Sequence, residues 1–273
     1  EFRRVLFRSQ EMRTRALDAL ERLGLDRRAT RRLASSTHIE VELHPWDTTD
    51  SALDRMHEAA AEMPWEYLIS ASTRREGRLH PMLITRVFRN ACPAVLPPPP
   101  SRVLFVESAP GRLKDEYDFA SERVRIAAAV GTDVERVPTP QVSDLRRIVR
   151  SGPWDVVHVT GVDTHQVTRY PALDDVFEQL GQTARKNVVG DDGRVRDGMM
   201  LREGHVAELP VNYVELADAL IDPRQAPSLV TLNLYHSGAR TAREIVRRGA
   251  YAAMGFLRSE EHTSELQSRL HLV

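Results

Sequence analysis

The segment Asp155-Val156-Val157-His158-Val159-Thr160-Gly161-Val162-Asp163-Thr164-His165 decides the fold. Its first half is short, apolar and β-branched, and Gly161 breaks it into polar residues. A run of this kind bounded by a breaker reads as a strand buried on both faces. The pattern recurs at Ser228–Leu234 (SLVTLNL), which leads into Tyr235-His236-Ser237-Gly238. Working outward, Arg102–Val106, Val134–Val137, Met199–Leu201 and Ala250–Phe256 read as further strands. Leu113, Tyr117, Ala120, Val124 and Ala127 fall at helical spacing. Ser143 is placed to cap a helix carrying Leu145, Ile148 and Val149, ended by Gly152-Pro153. Pro171–Leu180 reads as a helix before a polar turn at Gly190–Gly193. Asn212 caps a helix through Leu216, Ala219 and Leu220, and Ala239–Arg248 is a helix stopped by Gly249. Strands alternating with helices predict an α/β domain: a mostly parallel sheet with helices on both faces, in three α/β/α layers. Ligands of such sheets bind outside the carboxyl ends of the strands.

Upstream, Gln10–Ser36 reads as short helices, either an extension or the tail of a preceding domain. Ile39–Leu43 alternates as a half-buried strand, and Asp50 can cap a helix through Leu53, Met56, Ala59 and Ala60. Met63–Ile69 reads as a turn into an extended segment. Arg74–Gly77 then reads as a hairpin connection, with Leu83–Phe88 returning as a strand. Pro97–Pro100 forms a stiff polyproline stretch, a spacer or a docking peptide. Residues 1–9 and 258–273 read as translated adapter remnants of the kind found at the ends of metagenomic fragments and are set aside. The expected organisation is therefore a helical extension at 10–36 and one domain at 37–257, divided into 37–96 and a core sheet at 101–257. The natural protein is expected to continue beyond both ends.

Composition narrows the function. The 273 residues are 28% charged and 41% hydrophobic, with a formal net charge of −1. That balance gives no electrostatic basis for binding nucleic acid or an anionic membrane surface. No apolar run approaches the ~20 residues of a membrane span. Cys92 is the single cysteine, which excludes an internal disulfide and points to the cytoplasm. There is no glycine-rich phosphate loop after Val106 and no ligand spacing around Asp174-Asp175 or Asp191-Asp192. Neither a cofactor nor a metal is expected.

Two strand ends carry candidate chemistry: His158–His165 and Asn233–Gly238. Parallel topology brings both loops to one edge. At this point several segments, in order, resemble a CHAT domain, a caspase-like peptidase domain often found downstream of tetratricopeptide repeats. Met63–Leu68 resembles its "LPWELL" segment, Ser101–Val106 its first core strand, and Asp155–Gly161 its "DVVHFSGHG" strand. Asp197–Leu201 resembles "DGxLL", Leu232–Gly238 resembles "LNACESG", and Arg248–Phe256 resembles "GAxAVIGF". The resemblance covers about Ile39–Phe256. It implies a clan CD peptidase fold of bacterial type, in which a histidine activates a cysteine against a peptide carbonyl.

Residue by residue, however, the resemblance puts that histidine at Val162 and that cysteine at Tyr235. It therefore implies a divergent member without the standard dyad. A phenol is protonated at neutral pH and is a poor nucleophile without activation. The expectation is a pseudo-protease acting as a regulatory or protein-interaction module. Its partner is a protein or peptide, or a sensor or repeat domain upstream. The alternative is a hydrolase in which His165 is the base, Ser237 or Tyr235 the nucleophile, and Asp163 orients the imidazole. A third reading is a small-ligand-binding doubly wound domain with backbone donors after Val106. His158, Gly161, Val162, Asp163, Asn233 and His236 are expected to line the cleft. His158 also reads as a hydrogen-bonded core residue, Asn233 as a satisfier of loop backbone groups, and His165, Gln166 and Arg169 as a solvated loop. Arg240, Arg243, Arg247 and Arg248 read as the wet face of a helix. CHAT domains continue after the "GF" strand, so an exposed apolar edge is expected near Phe256.

Overall fold

The computed structural model describes residues 14, 17–18, 21–22, 26, 28–29, 32, 38–43, 65, 83–88, 97–109, 117–167, 188–189, 195–203, 207–238 and 240–256. The chain divides into two compact units, Glu1–Asn90 and Ala91–Val273. In the first, β1 (His38–Leu43) pairs in parallel with β2 (Leu83–Phe88), from His38 opposite Leu83 to Leu43 opposite Phe88. A parallel pair needs a crossover between its strands. Trp65, read from sequence in a turn toward an extended segment, is helical. The Asp50 helix and the turn at 74–77 lie outside the described residues, as do residues 1–9 and 258–273.

The second unit is the α/β domain. Its elements run β3 (Val103–Ser108), α1 (Phe119–Val130), β4 (Val134–Pro138), α2 (Val142–Arg150), β5 (Val156–Gly161) and a single helical turn, α3 (Thr164–Val167). Then follow β6 (Gly198–Glu203), β7 (Ala207–Asn212), α4 (Tyr213–Leu220), β8 (Leu229–Asn233), α5 (Arg240–Arg247) and β9 (Ala252–Met254). The central sheet has the order β4-β3-β5-β8-β9, with every pair parallel. β6 and β7 form a separate antiparallel pair. Every residue of β3 and β5 is buried, as continuous apolar strands require when both faces are covered.

Alternation gives the two faces different characters. Leu104, Val106, Val157, Val159, Val230 and Leu232 share one face. They form the main core with Leu145 and Val149 of α2, Leu216 and Leu220 of α4, and Ile245 of α5. The opposite face carries Phe105, His158, Thr160, Thr231 and Asn233, and α1 lies over it. The layers are therefore helix, sheet, helix.

Local capping explains several boundaries. The Asn212 side chain accepts from the N–H groups of Val214 and Glu215, both at 3.0 Å. Asn212→Ala is expected to cost about 1 kcal/mol in urea unfolding, the ordinary value of such a cap. Ser143, read as a cap, lies inside α2; Gln141 holds that position without a side-chain bond. α1 begins later than its apolar spacing implies, because Asp118 caps it through the Ser121 N–H at 3.0 Å. None of its residues is buried, and Val124 is 65% exposed.

At the start of the sheet, Asp155 Oδ2 accepts from Ser101 N–H, Ser101 Oγ and Arg102 N–H at 2.7, 2.8 and 2.9 Å. Burial pushes this carboxyl up, but these donors and the Arg102 charge hold it below the usual carboxylate range. Arg102 also stacks over Trp154. Pro98–Pro100, just before, are exposed and outside any helix or strand. At the other end β9 is an edge strand, with Met254 and Phe256 exposed.

Candidate functional site

β5 and β8 are neighbours, so their carboxyl-end loops meet. The junction is built on Asp163, which is fully buried. Its Oδ1 accepts from His165 N–H at 2.7 Å and Gln166 N–H at 3.0 Å, and its Oδ2 accepts from Tyr235 N–H at 3.1 Å. One carboxylate thus ties the loop after β5 to the loop after β8. Burial raises its pKa from 3.8 to about 6, against the opposing pull of those N–H donors and the nearby His165. The Asp163 oxygens thus serve backbone N–H groups of both loops.

The acid that meets His165 is Asp197, with Nε2 2.7 Å from Asp197 Oδ1. The His165 ring also stacks on His236, centroids 4.1 Å apart. His236 holds a left-handed backbone, φ 54°. His165 and Gln166 are therefore not a solvated loop: the His165 side chain is 17% exposed and Gln166 is buried. Gln166 Oε1 accepts from Asp163 N–H, and its Nε2 donates to Tyr117 Oη at 3.2 Å. Arg169 lies outside the described residues.

Val162 is fully buried among Ala109, Val167, Val188 and Met200, with Tyr117 and Phe119 packed against them. Tyr235 is half-buried beside the Asp163 carboxylate. Ser237 is 1% exposed; its hydroxyl donates to the Leu234 carbonyl at 2.6 Å and accepts from Phe256 N–H at 3.2 Å. Those bonds make Ser237 a member of the turn that seats the β9 end. Gly161, φ 148°, lies against the Ser108 carbonyl, which accepts from Val162 N–H at 3.0 Å.

His158 and Asn233 belong to a second polar group on the α1 face. His158 Nδ1 lies 2.6 Å from Thr231 Oγ1, its Nε2 lies 2.9 Å from Glu122 Oε1, and its ring stacks on Phe105. Thr160 Oγ1 donates to Glu122 Oε2 at 2.9 Å. Asn233 Nδ2 donates to Glu122 Oε1 at 2.7 Å and Thr160 Oγ1 at 3.2 Å, so its described partners are side chains rather than loop backbone. Burial pushes Glu122 up, but the hydrogen bond and charge of His158, with Thr160 and Asn233, hold it below the usual range.

Sequence reading missed Asp197, Glu122 and the bracing role of Asp163. Asp197 stood in a segment notable only for its resemblance, and an acid beside a glycine turn was its one signal. Arg243, expected on a wet face, is buried. Arg247 and Arg248 both pair with Glu244, and Arg248 also with Asp218. At the end of β3, Glu107 pairs with Arg136 through Oε1, and Ser108 is buried. The Glu107 carbonyl accepts from Thr139 N–H at 2.7 Å, and residues 110–116, which follow, lie outside the described residues.

Among the described residues no three His, Cys, Asp or Glu side chains gather as a metal site, and no helix is long and apolar enough to cross a membrane. No protein-family description matches the chain, and no curated protein matches it.

Proposed function

We propose that this domain is a CHAT-like module with a catalytically defective caspase-type centre, acting by binding a protein or peptide at the β5–β8 edge. One observation carries the reading. The two loops converge, and the positions that the resemblance assigns to the imidazole and the thiol hold Val162, which is buried, and Tyr235. Burial of Val162 in an apolar cluster makes that position a packing residue rather than a proton carrier. Ser237 has its hydroxyl bound within its own turn. A preorganised edge lined by Tyr235, His165 and His236 suits recognition of a chain segment, since aromatic and imidazole rings bury area at low entropic cost. Such a module relays a signal from upstream sensor or repeat domains.

A second reading is favoured by a separate contact. The His165–Asp197 pair is the acid–imidazole arrangement a general base uses, which leaves Tyr235 as the candidate nucleophile. One experiment separates the two. The full chain, incubated with a peptide library and read by mass spectrometry, is expected to give no cleavage. A peptide selected against it by display is expected to lose about tenfold in affinity on Tyr235→Ala. Cleavage abolished by Tyr235→Phe or His165→Ala would establish the hydrolase instead.

A further inference from the structure

We propose that helix α1 is a control element for the two loops, with Glu122 as the positioning residue that couples helix position to loop geometry. The argument begins with what holds the helix. No α1 residue is fully buried and Val124 is 65% exposed; among the described residues, its apolar contact with the buried clusters is that of Phe119 in the first turn with the Val162 cluster. Farther along the helix, Glu122 supplies a polar attachment. It takes donors from β5 and β8 at once: His158 at 2.9 Å, Thr160 at 2.9 Å and Asn233 at 2.7 Å.

The positions of these donors give the contact its consequence. Thr160 and Asn233 are register partners, and each stands just before one of the loops. Thr160 precedes Gly161-Val162-Asp163, and Asn233 precedes Leu234-Tyr235. Glu122 therefore joins the strand ends on one face, just before the Asp163 carboxylate joins the loops themselves. A further contact comes from the start of the helix and the residue before its cap. Tyr117 stacks on Phe119, both pack against the Val162 cluster, and Tyr117 Oη accepts from Gln166.

Lifting α1 would strip partners from a buried hydroxyl, a buried imidazole and an amide, all at the loop roots. Unsatisfied buried polar groups are costly, so helix docking and loop order rise and fall together. A ligand that displaces α1 thereby alters the loops, and a ligand ordering the loops tightens α1 by the same factor. This coupling is a property of α1 and the two loops, independent of the chemistry at the edge. It stands whether the edge binds a peptide or hydrolyses one.

Amide hydrogen exchange on the full chain tests it. In Glu122→Ala, amides of 162–167 and 234–238 are expected to exchange on the order of ten- to a hundredfold faster, with β3 and α2 unchanged. Glu122→Gln keeps one acceptor for His158 and Asn233 and offers its amide to the Thr160 oxygen, so it is expected to restore slow exchange. If Glu122→Ala does not fold, Thr160→Val probes the link from the loop side at nearly constant volume, and faster exchange across α1 is the expected result. Faster exchange confined to α1 in Glu122→Ala, acceleration spread evenly over β3 and α2, or an α1 indifferent to Thr160→Val would each overturn the proposal.

Discussion

Gly161→Ala is expected to destabilise the domain by about 4 kcal/mol or more, or to prevent folding, which urea denaturation followed by circular dichroism will read. Gly161 ends β5 with φ 148°, a conformation L side chains rarely adopt. A Cβ there would overlap the Ser108 carbonyl and stand 2.9 Å from Met199 Cε. The methionine can swing aside. The carbonyl cannot, because it belongs to β3 and accepts from Val162 N–H. The substitution must therefore push β3 and β5 apart at the root of the first candidate loop. Gly131→Ala is the matched control. Gly131 caps α1 with φ 75°, and a Cβ there meets nothing within 4 Å, so only backbone strain remains, about 1 kcal/mol. Equal losses for the two variants would show that the β3–β5 contact does not constrain the loop.

Why Gly161 stood out in sequence, and Glu122 did not, comes down to range. β5 was legible because a strand buried on both faces is largely apolar, and β8 because Val230 and Leu232, which it buries on one face, stand in a similar short run. The glycine after Thr160 and the Asn212 cap act over a few residues and leave local marks. Glu122 acts on His158 and Asn233, which lie 36 and 111 residues away, so neighbouring sequence carries no trace of the contact. Its helix was read by apolar spacing, which locates the helix but carries no sign of the carboxylate contact. Asp163 was visible as a candidate, but which donors it meets depends on the β5–β8 pairing. β7 escaped notice because its AELPVN segment contains Pro210, which argues against a strand. In the structure it belongs to a two-stranded pair with β6, where a proline is tolerated.

Asp163→Asn is expected to change the pH dependence of stability between about pH 4 and 7, with a swing of about 3 kcal/mol relative to the unsubstituted chain. Burial lifts the Asp163 carboxyl from 3.8 to about 6 in the folded protein. Between those values the folded chain holds a proton that the unfolded chain has released. Stability from the protonated group is therefore fully present below about pH 4 and is lost as pH rises through about 6. Asparagine cannot ionise, so it abolishes this slope. It also turns an amide toward an N–H donor of His165, Gln166 or Tyr235, a penalty that does not change with pH. The variant should be the less stable chain at pH 4 and gain steadily on the unsubstituted one toward pH 7. Glu122 contributes the opposite slope, since its pKa is lowered and its stabilisation fades as pH falls. That slope is common to both chains and cancels in the difference. Urea midpoints at unit pH steps give the curve directly. A difference that stays constant from pH 4 to 7 would mean that Asp163 remains ionised throughout. The β5–β8 junction would then be held by a permanent charge, and protonation near neutrality would have no hold on the loops.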